Sequence, residues 1–297
     1  MTTKFKSFNA YQIDLHYQMK KKNIEYDEFK WESIIFFDVL EKINSLNMQA
    51  KTKRYGDSWL MHLDHLEEDE HFIFGRMSSA EYGTTGELIH ADNLTKRPNP
   101  KQTREGETEL TYFLIRKSDG FLLLQSNMKL HRARFEEYIE ELGKDSIAGH
   151  NLTYIQICTL VNDSFFESIR QLNTVNKIEI EVTAVDAQAF ENEAVRALQR
   201  DADRTSATNV NLVFQAKHKR EGLKKVVPLL IDYKDKQGVT KIVVRGKLAG
   251  AEKVIKMDDS QERFKKKVAV DTNNQPMLSS VELVLKEIAS QRSPLRS

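Results

Sequence analysis

Apolar and polar residues alternate from Tyr11 to Tyr17, with Tyr11, Ile13, Leu15 and Tyr17 on one side, and this two-residue period predicts a half-buried strand. Asp27 then reads as the N-cap of a helix running to about Leu46. Its run IIFFDVL is apolar around much of the circumference, which makes Trp31, Ile34, Ile35 and Phe37 core candidates. Residues 51–77 read as a meander of short strands, with turns at Gly56-Asp57 and in the acidic stretch Glu67–Glu70. Residues 78–108 are rich in Ser, Thr, Asn, Gly and charge and contain Pro98 and Pro100, so they are expected to form the most mobile loop. The segments TYFLIRK and FLLLQSN flank Ser118-Asp119-Gly120 and predict a hairpin, since Gly accepts positive φ without steric cost. A helix over 132–142 would bury Phe135, Tyr138, Ile139 and Leu142 before Gly143 stops it.

The second half alternates strand and helix more regularly. Leu152–Leu160 reads as a buried strand, and Ser164 with Glu167 forms a capping-box pattern at the start of a short helix. In Lys177–Val182 the even positions are apolar and the odd ones charged, which gives one buried and one wet face. A helix over 187–200, a strand over Asn209–Lys217 and a helix over 221–233 follow, the last kinked or begun at Pro228. Strands are expected at about 239–248, 252–257 and 263–270, and Ser279 with Glu282 caps a final helix. A division near Gly149 gives two domains, 1–149 and 150–297. The fold class expected is α+β, two domains with mostly antiparallel sheets flanked by helices.

Composition agrees with an ordered chain: 297 residues, 40% hydrophobic and 30% charged, with only 5 prolines and 12 glycines. The single cysteine, Cys158, has no partner in the chain and sits in the apolar run LTYIQICTLV, so a small buried hydrophobe in a reducing cytosol is expected. No apolar stretch reaches the roughly 18 residues of a membrane span, and MTTKFKSFNA lacks the apolar core of a signal peptide. Direct membrane insertion is therefore not expected. Net charge is only +1, yet residues 205–267 carry sixteen Lys and Arg against seven Asp and Glu.

That basic excess is the one chemical feature above background. Lys241, Arg245 and Lys247 share strand parity, as do Arg263, Lys265 and Lys267, and Lys217, Lys219, Arg220, Lys224 and Lys225 surround a helix start. Together they describe a surface able to neutralise phosphates without reading sequence. The competing reading is a solvated sheet face balanced by acidic neighbours. HLDHLEEDEH offers His62, His65, His71, Asp64, Glu67, Asp69 and Glu70, but on a strand His62 and His65 face opposite sides, a weak metal pattern. Glu179 and Glu181 share a strand face with Lys177, an arrangement compatible with a metal-dependent nuclease and equally with an ordinary wet face. No Walker-type loop or GxGxxG occurs, and no cofactor is expected. The aromatic residues Trp31, Phe36, Phe37 and Trp59 are core candidates that could alternatively form a subunit interface.

The hairpin ELTYFLIRKSDGFLLLQSN with its following helix, then FQAKHKREGLKKVVPLLIDYK, then KIVVRGKLAG, resembles RexA-like proteins of phage exclusion and antiphage defence from about Glu109 onward. The resemblance implies a two-domain α+β homodimer that binds double-stranded DNA with little sequence preference. It also implies signalling to a membrane-protein effector. Lys217, Lys219, Arg220, Lys224 and Lys225 would correspond to that family's basic run.

Overall fold

The structure, a computed structural model, describes residues 2–21, 24–162, 164–183, 209–216, 222–224, 230 and 239–295. The alternation read at Tyr11–Tyr17 extends both ways into β1 (Thr3–Lys21), a strand of 19 residues. It is followed by β2 (Ile24–Lys30), α1 (Ser33–Ser45), β3 (Lys53–Tyr55), β4 (Trp59–Glu68) and β5 (Phe72–Glu81). Next come β6 (Glu87–Ile89), β7 (Lys96–Pro98), β8 (Thr108–Arg116), β9 (Phe121–Gln125), α2 (Arg132–Leu142), α3 (Lys144–Gly149) and β10 (Leu152–Thr159). The remainder is α4 (Ser164–Arg170), β11 (Thr174–Thr183), β12 (Asn209–Gln215), β13 (Val239–Leu248), β14 (Ala251–Lys256), β15 (Arg263–Ala269) and α5 (Leu278–Gln291).

Nine strands form one antiparallel sheet in the order β10-β1-β9-β8-β5-β4-β3, with β2 and β15 also paired to β1. Helices cover both faces. Phe36, Val39, Leu40 and Ile43 of α1 and Phe135, Tyr138 and Ile139 of α2 pack on one side with Tyr11, Ile13, Phe113, Ile115, Leu122 and Leu124. Val281, Leu285, Ile288 and Ala289 of α5 pack on the other with Phe8, Tyr112, Leu114, Phe121 and Leu123. Strands β8 and β9 are thus buried on both faces, which is why they read as unbroken apolar runs instead of alternating. Each apolar side chain that α5 buries stabilises by about 1.5–3 kcal/mol.

A second antiparallel sheet, β12-β11-β13-β14, packs Ile178, Ile180, Leu212, Ile242, Val244 and Ile255 against Phe165, Phe166 and Ile169 of α4. The α+β class with antiparallel sheets flanked by helices is therefore present. The sheets do not divide at residue 149, however. Strands β10 and β15 both belong to the large sheet, because β1 offers Tyr11–Tyr17 to β10 and Thr3–Asn9 to β15 along the same edge. The small sheet is inserted between them through a two-stranded neck. Leu160 and Glu262 lie side by side there: Ala10 N donates to Glu262 O at 2.9 Å, Leu160 N to Ala10 O at 3.1 Å and Glu262 N to Leu160 O at 2.8 Å.

Several local expectations yield to this arrangement. Asp27 lies inside β2, where pairing along β1 from Leu15↔Lys30 to Lys21↔Ile24 outweighs its capping preference, and the helix starts at Ser33. Ile34 is 82% exposed, and Phe36 takes the buried position instead. Within 78–108, residues 78–81 complete β5, and β6 and β7 form a hairpin. Helix α5 begins at Leu278 with Met277 as its N-cap and no side-chain capping bond, so Ser279 lies inside it and does not cap it; Ser280 accepts the Ala269 N–H. Trp59 is buried, while Trp31 and Phe37 are partly buried against the same core. The helices expected at 187–200 and, apart from four residues, 221–233 lie outside the described residues.

One position in the large sheet is fixed by size. Gly75 faces Phe113 across the β5–β8 pair, and a Cβ on it would meet the Phe113 ring at 2.2 Å. Phe113 is fully buried, so the ring has little room to withdraw. Gly75→Ala is expected to cost about 1–3 kcal/mol by overpacking, read as a lower urea midpoint. Pairing it with Phe113→Leu should recover part of that loss, whereas an unchanged midpoint for Gly75→Ala alone would contradict the packing described.

Candidate nucleic-acid interface

The basic residues fall into two strand clusters with different surroundings. In the small sheet, β11 lies between β12 and β13, so Lys177, Glu179 and Glu181 sit in register with Arg245, Val243 and Lys241. Their shared face is the one turned away from Ile178 and Ile180. Lys177 pairs with Glu179 at 2.7 Å, Arg245 with Glu179 at 3.4 Å, and Lys241 with Glu181 at 3.7 Å. The Lys177 hydrogen bond, helped by Arg245, holds the Glu179 carboxyl below its ordinary range. Lys247 is exposed and lies opposite Glu252. Glu179 and Glu181 are thus engaged by cations, and no group of three or more metal-binding side chains converges among the described residues.

Lys224 is exposed beside the start of β11, placed by Gly222. Gly222 has φ +62° and makes a parallel bridge to Val175, whose oxygen a Cβ would meet at 2.0 Å, so both conformation and space require glycine. Lys217, Lys219, Arg220 and Lys225 lie outside the described residues.

The second cluster lies on β15, an edge strand of the large sheet. Arg263, Lys265 and Lys267 are exposed on one face, opposite Asn9, Ser7 and Phe5 of β1. Lys266, of the other parity, reaches Glu287 of α5 at 3.0 Å. Arg263 donates to Asn9 Oδ1 at 2.9 Å, and the Lys265 and Lys267 ammonium groups stand 5.1 and 5.3 Å from the centre of the Phe5 ring. No carboxylate among the described residues pairs with these three cations. The neck separates this stripe from the small sheet in sequence, and strand parity alone did not distinguish the paired cluster from the unpaired one.

Sequence reasoning missed Phe5, which is 57% exposed on the same face as the three cations. Its signal was present: Phe5, Ser7 and Asn9 continue the parity of Tyr11 into the part of β1 that pairs with the basic strand. It also missed a row of buried polar side chains on the opposite face of β1 and β10. Asp14, His16 and Gln156 are each almost fully buried, with His16 Nε2 3.2 Å from Gln156 Oε1 and the His16 ring 3.7 Å from that of Tyr154. Burial lowers the His16 pKa to about 3 against the opposing Gln156 bond, so the imidazole is neutral. Cys158, expected in a core, joins this row opposite Gln12 and is partly exposed. Of the histidine-rich string, Asp64 is held by Arg76 at 2.5 Å, and His65 lies 2.9 Å from Glu67. No described helix is long and apolar enough to cross a membrane. Compared with protein-family models and with curated proteins, the chain matches none.

Proposed function

We propose that this is a non-enzymatic, largely sequence-independent DNA-binding protein that grips phosphates with Arg263, Lys265 and Lys267. The observation that carries the reading is the contrast between the two basic clusters. On β13 Lys241 and Arg245 are paired with Glu181 and Glu179 while Lys247 has no ion pair among the described residues, whereas all three cations on β15 face no described carboxylate and are spaced along one strand edge. Unpaired cations in a row release counterions when they meet a phosphate backbone. Lys224, with Lys217, Lys219, Arg220 and Lys225, extends the reading as the resemblance to RexA-like proteins implies. In that picture the protein is a homodimeric sensor or regulator in phage exclusion, acting with a membrane-protein effector.

Binding to a labelled random-sequence duplex across a salt series tests it, with light scattering on the same sample reporting the dimer. The affinity should fall steeply with salt. Changing Arg263, Lys265 and Lys267 together to Glu should flatten the logarithmic slope by roughly 2–3, at about 0.9 per lost phosphate contact. Reversal of Lys241 and Arg245 should leave the slope in place. A triple variant that retains the full slope would remove β15 from the interface.

A further inference from the structure

Phe5 is an unusual occupant of an exposed basic strand pair. Its neighbours on that face of β1 are Ser7 and Asn9, and its cross-strand partner is Lys267. The ring is 57% exposed, while the ammonium groups of Lys265 and Lys267 stand near its π system without enclosing it. The adjacent edge of β15 is already discouraged from pairing by its lysines, so edge protection does not require an aromatic here. A flat apolar face beside a row of unpaired cations matches what an unpaired nucleobase needs: a ring to stack on and positive groups for the flanking phosphates.

We propose that Phe5 is a stacking platform for an exposed base of single-stranded nucleic acid, with Lys265, Lys267 and Arg263 holding the phosphates on either side. The inference rests on the DNA-binding reading above and narrows its ligand to strands with unpaired bases. In a duplex the base faces are covered by their neighbours, so the ring contributes nothing and only the cations act. An anionic lipid surface is the less favoured occupant, because Ser7 and Asn9 supply no second apolar anchor beside Phe5.

The test compares Phe5→Ala with the full chain on a fluorescent oligothymidylate and on a duplex of equal length, with anionic phosphatidylserine vesicles as a third arm. Phe5→Ala should weaken single-strand binding roughly 5- to 150-fold, the equivalent of one lost base stack, and leave duplex binding unchanged. Phe5→Trp should restore it. Equal weakening on both nucleic acids, or none on the single strand while the duplex still binds, overturns the stacking role but keeps the phosphate-binding reading. Failure of both nucleic acids to bind removes that reading as well, and loss confined to vesicle binding assigns the face to lipid.

Discussion

Arg116→Ala should cost about 3–5 kcal/mol, the largest effect expected of a single substitution here, because it opens a buried ion pair that also terminates a helix. Arg116 and Asp119 flank the β8–β9 turn and are both almost fully buried. Arg116 Nε donates to Asp119 Oδ1 at 2.9 Å and Nη2 to Oδ2 at 2.7 Å, a two-pronged pairing. The remaining guanidinium hydrogens reach the carbonyls of Ala289, Arg292 and Ser293 at 2.5, 2.6 and 3.2 Å. The Ala289 carbonyl belongs to the last turn of α5, whose carbonyls a helix cannot satisfy internally, and Arg292 and Ser293 follow directly after that turn. Asp119 in turn accepts the N–H groups of Leu295 and Phe121. Burial alone would raise the Asp119 carboxyl, but Arg116 and these N–H groups outweigh it and hold the pKa below its ordinary value. The ion pair's contribution is therefore present above the ordinary carboxylate range and is lost as pH falls through the lowered value. Urea unfolding should show the loss for Arg116→Ala, and hydrogen exchange should show the last turn of α5 opening first. Arg116→Met with Asp119→Leu should be less costly than the two single changes summed, since neither charge is then left buried alone. An Arg116→Ala variant as stable as the parent would contradict this account.

Raising the pH from 5 to 8 should destabilise the protein by about 3 kcal/mol through Glu136, at 1.36 kcal/mol per pKa unit. Strand β10 is an edge of the large sheet, and α2 covers that edge with side chains. Glu136 accepts the Ile157 N–H at 2.9 Å, Glu140 the Ile155 N–H at 3.3 Å, and Arg132 donates to the Ile157 carbonyl at 2.5 Å. Residues 132, 136 and 140 thus stand in for a neighbouring strand. Burial pushes the Glu136 carboxyl up to about 7, against the pull of Arg132 and of the Ile157 N–H. Burial likewise raises Glu140. The folded protein binds these protons more tightly than the unfolded chain does. The stabilisation is therefore full below the ordinary glutamate value of 4.5 and is lost as pH rises through about 7. Glu136→Gln keeps an acceptor for Ile157 while removing the titration, so its unfolding free energy should vary much less between pH 5 and 8. Identical pH profiles for the two proteins would exclude Glu136 as the source.

The same contacts show how far sequence reached. Strands with one wet face, such as Lys177–Val182, and the hairpin around Gly120 were legible because their alternation and turn chemistry are local. The strand at Ile24–Lys30 was not, since only its pairing with β1 decides against the helix start that Asp27 suggests locally. The division at 149 had the same weakness: nothing in the run Arg263–Lys267 announces that its partner is Thr3–Asn9. In the candidate site, strand parity put Lys241, Arg245 and Lys247 on one exposed face of β13 and Arg263, Lys265 and Lys267 on one exposed face of β15, as the strands place them. Their neutralisation depends on which strand lies alongside, glutamates in one case and Phe5, Ser7 and Asn9 in the other, and that is a long-range property.

Because Thr3–Asn9 pairs with Arg263–Ala269, that stretch of the β1 edge stays open through most of the chain's synthesis. At about 5–20 residues per second, that interval is on the order of tens of seconds on the ribosome. Over that time β1 presents unpaired backbone groups of the kind that recruit foreign strands. The strands of the small sheet, by contrast, follow one another along the chain and can pair as soon as they emerge. Its neck then brings Leu160 and Glu262 together, shortening the search by which β15 finds β1. The inserted unit would thus act as an intramolecular clasp that makes a sequence-distant pairing local in space, and its excision would be felt first in the yield of folded chain.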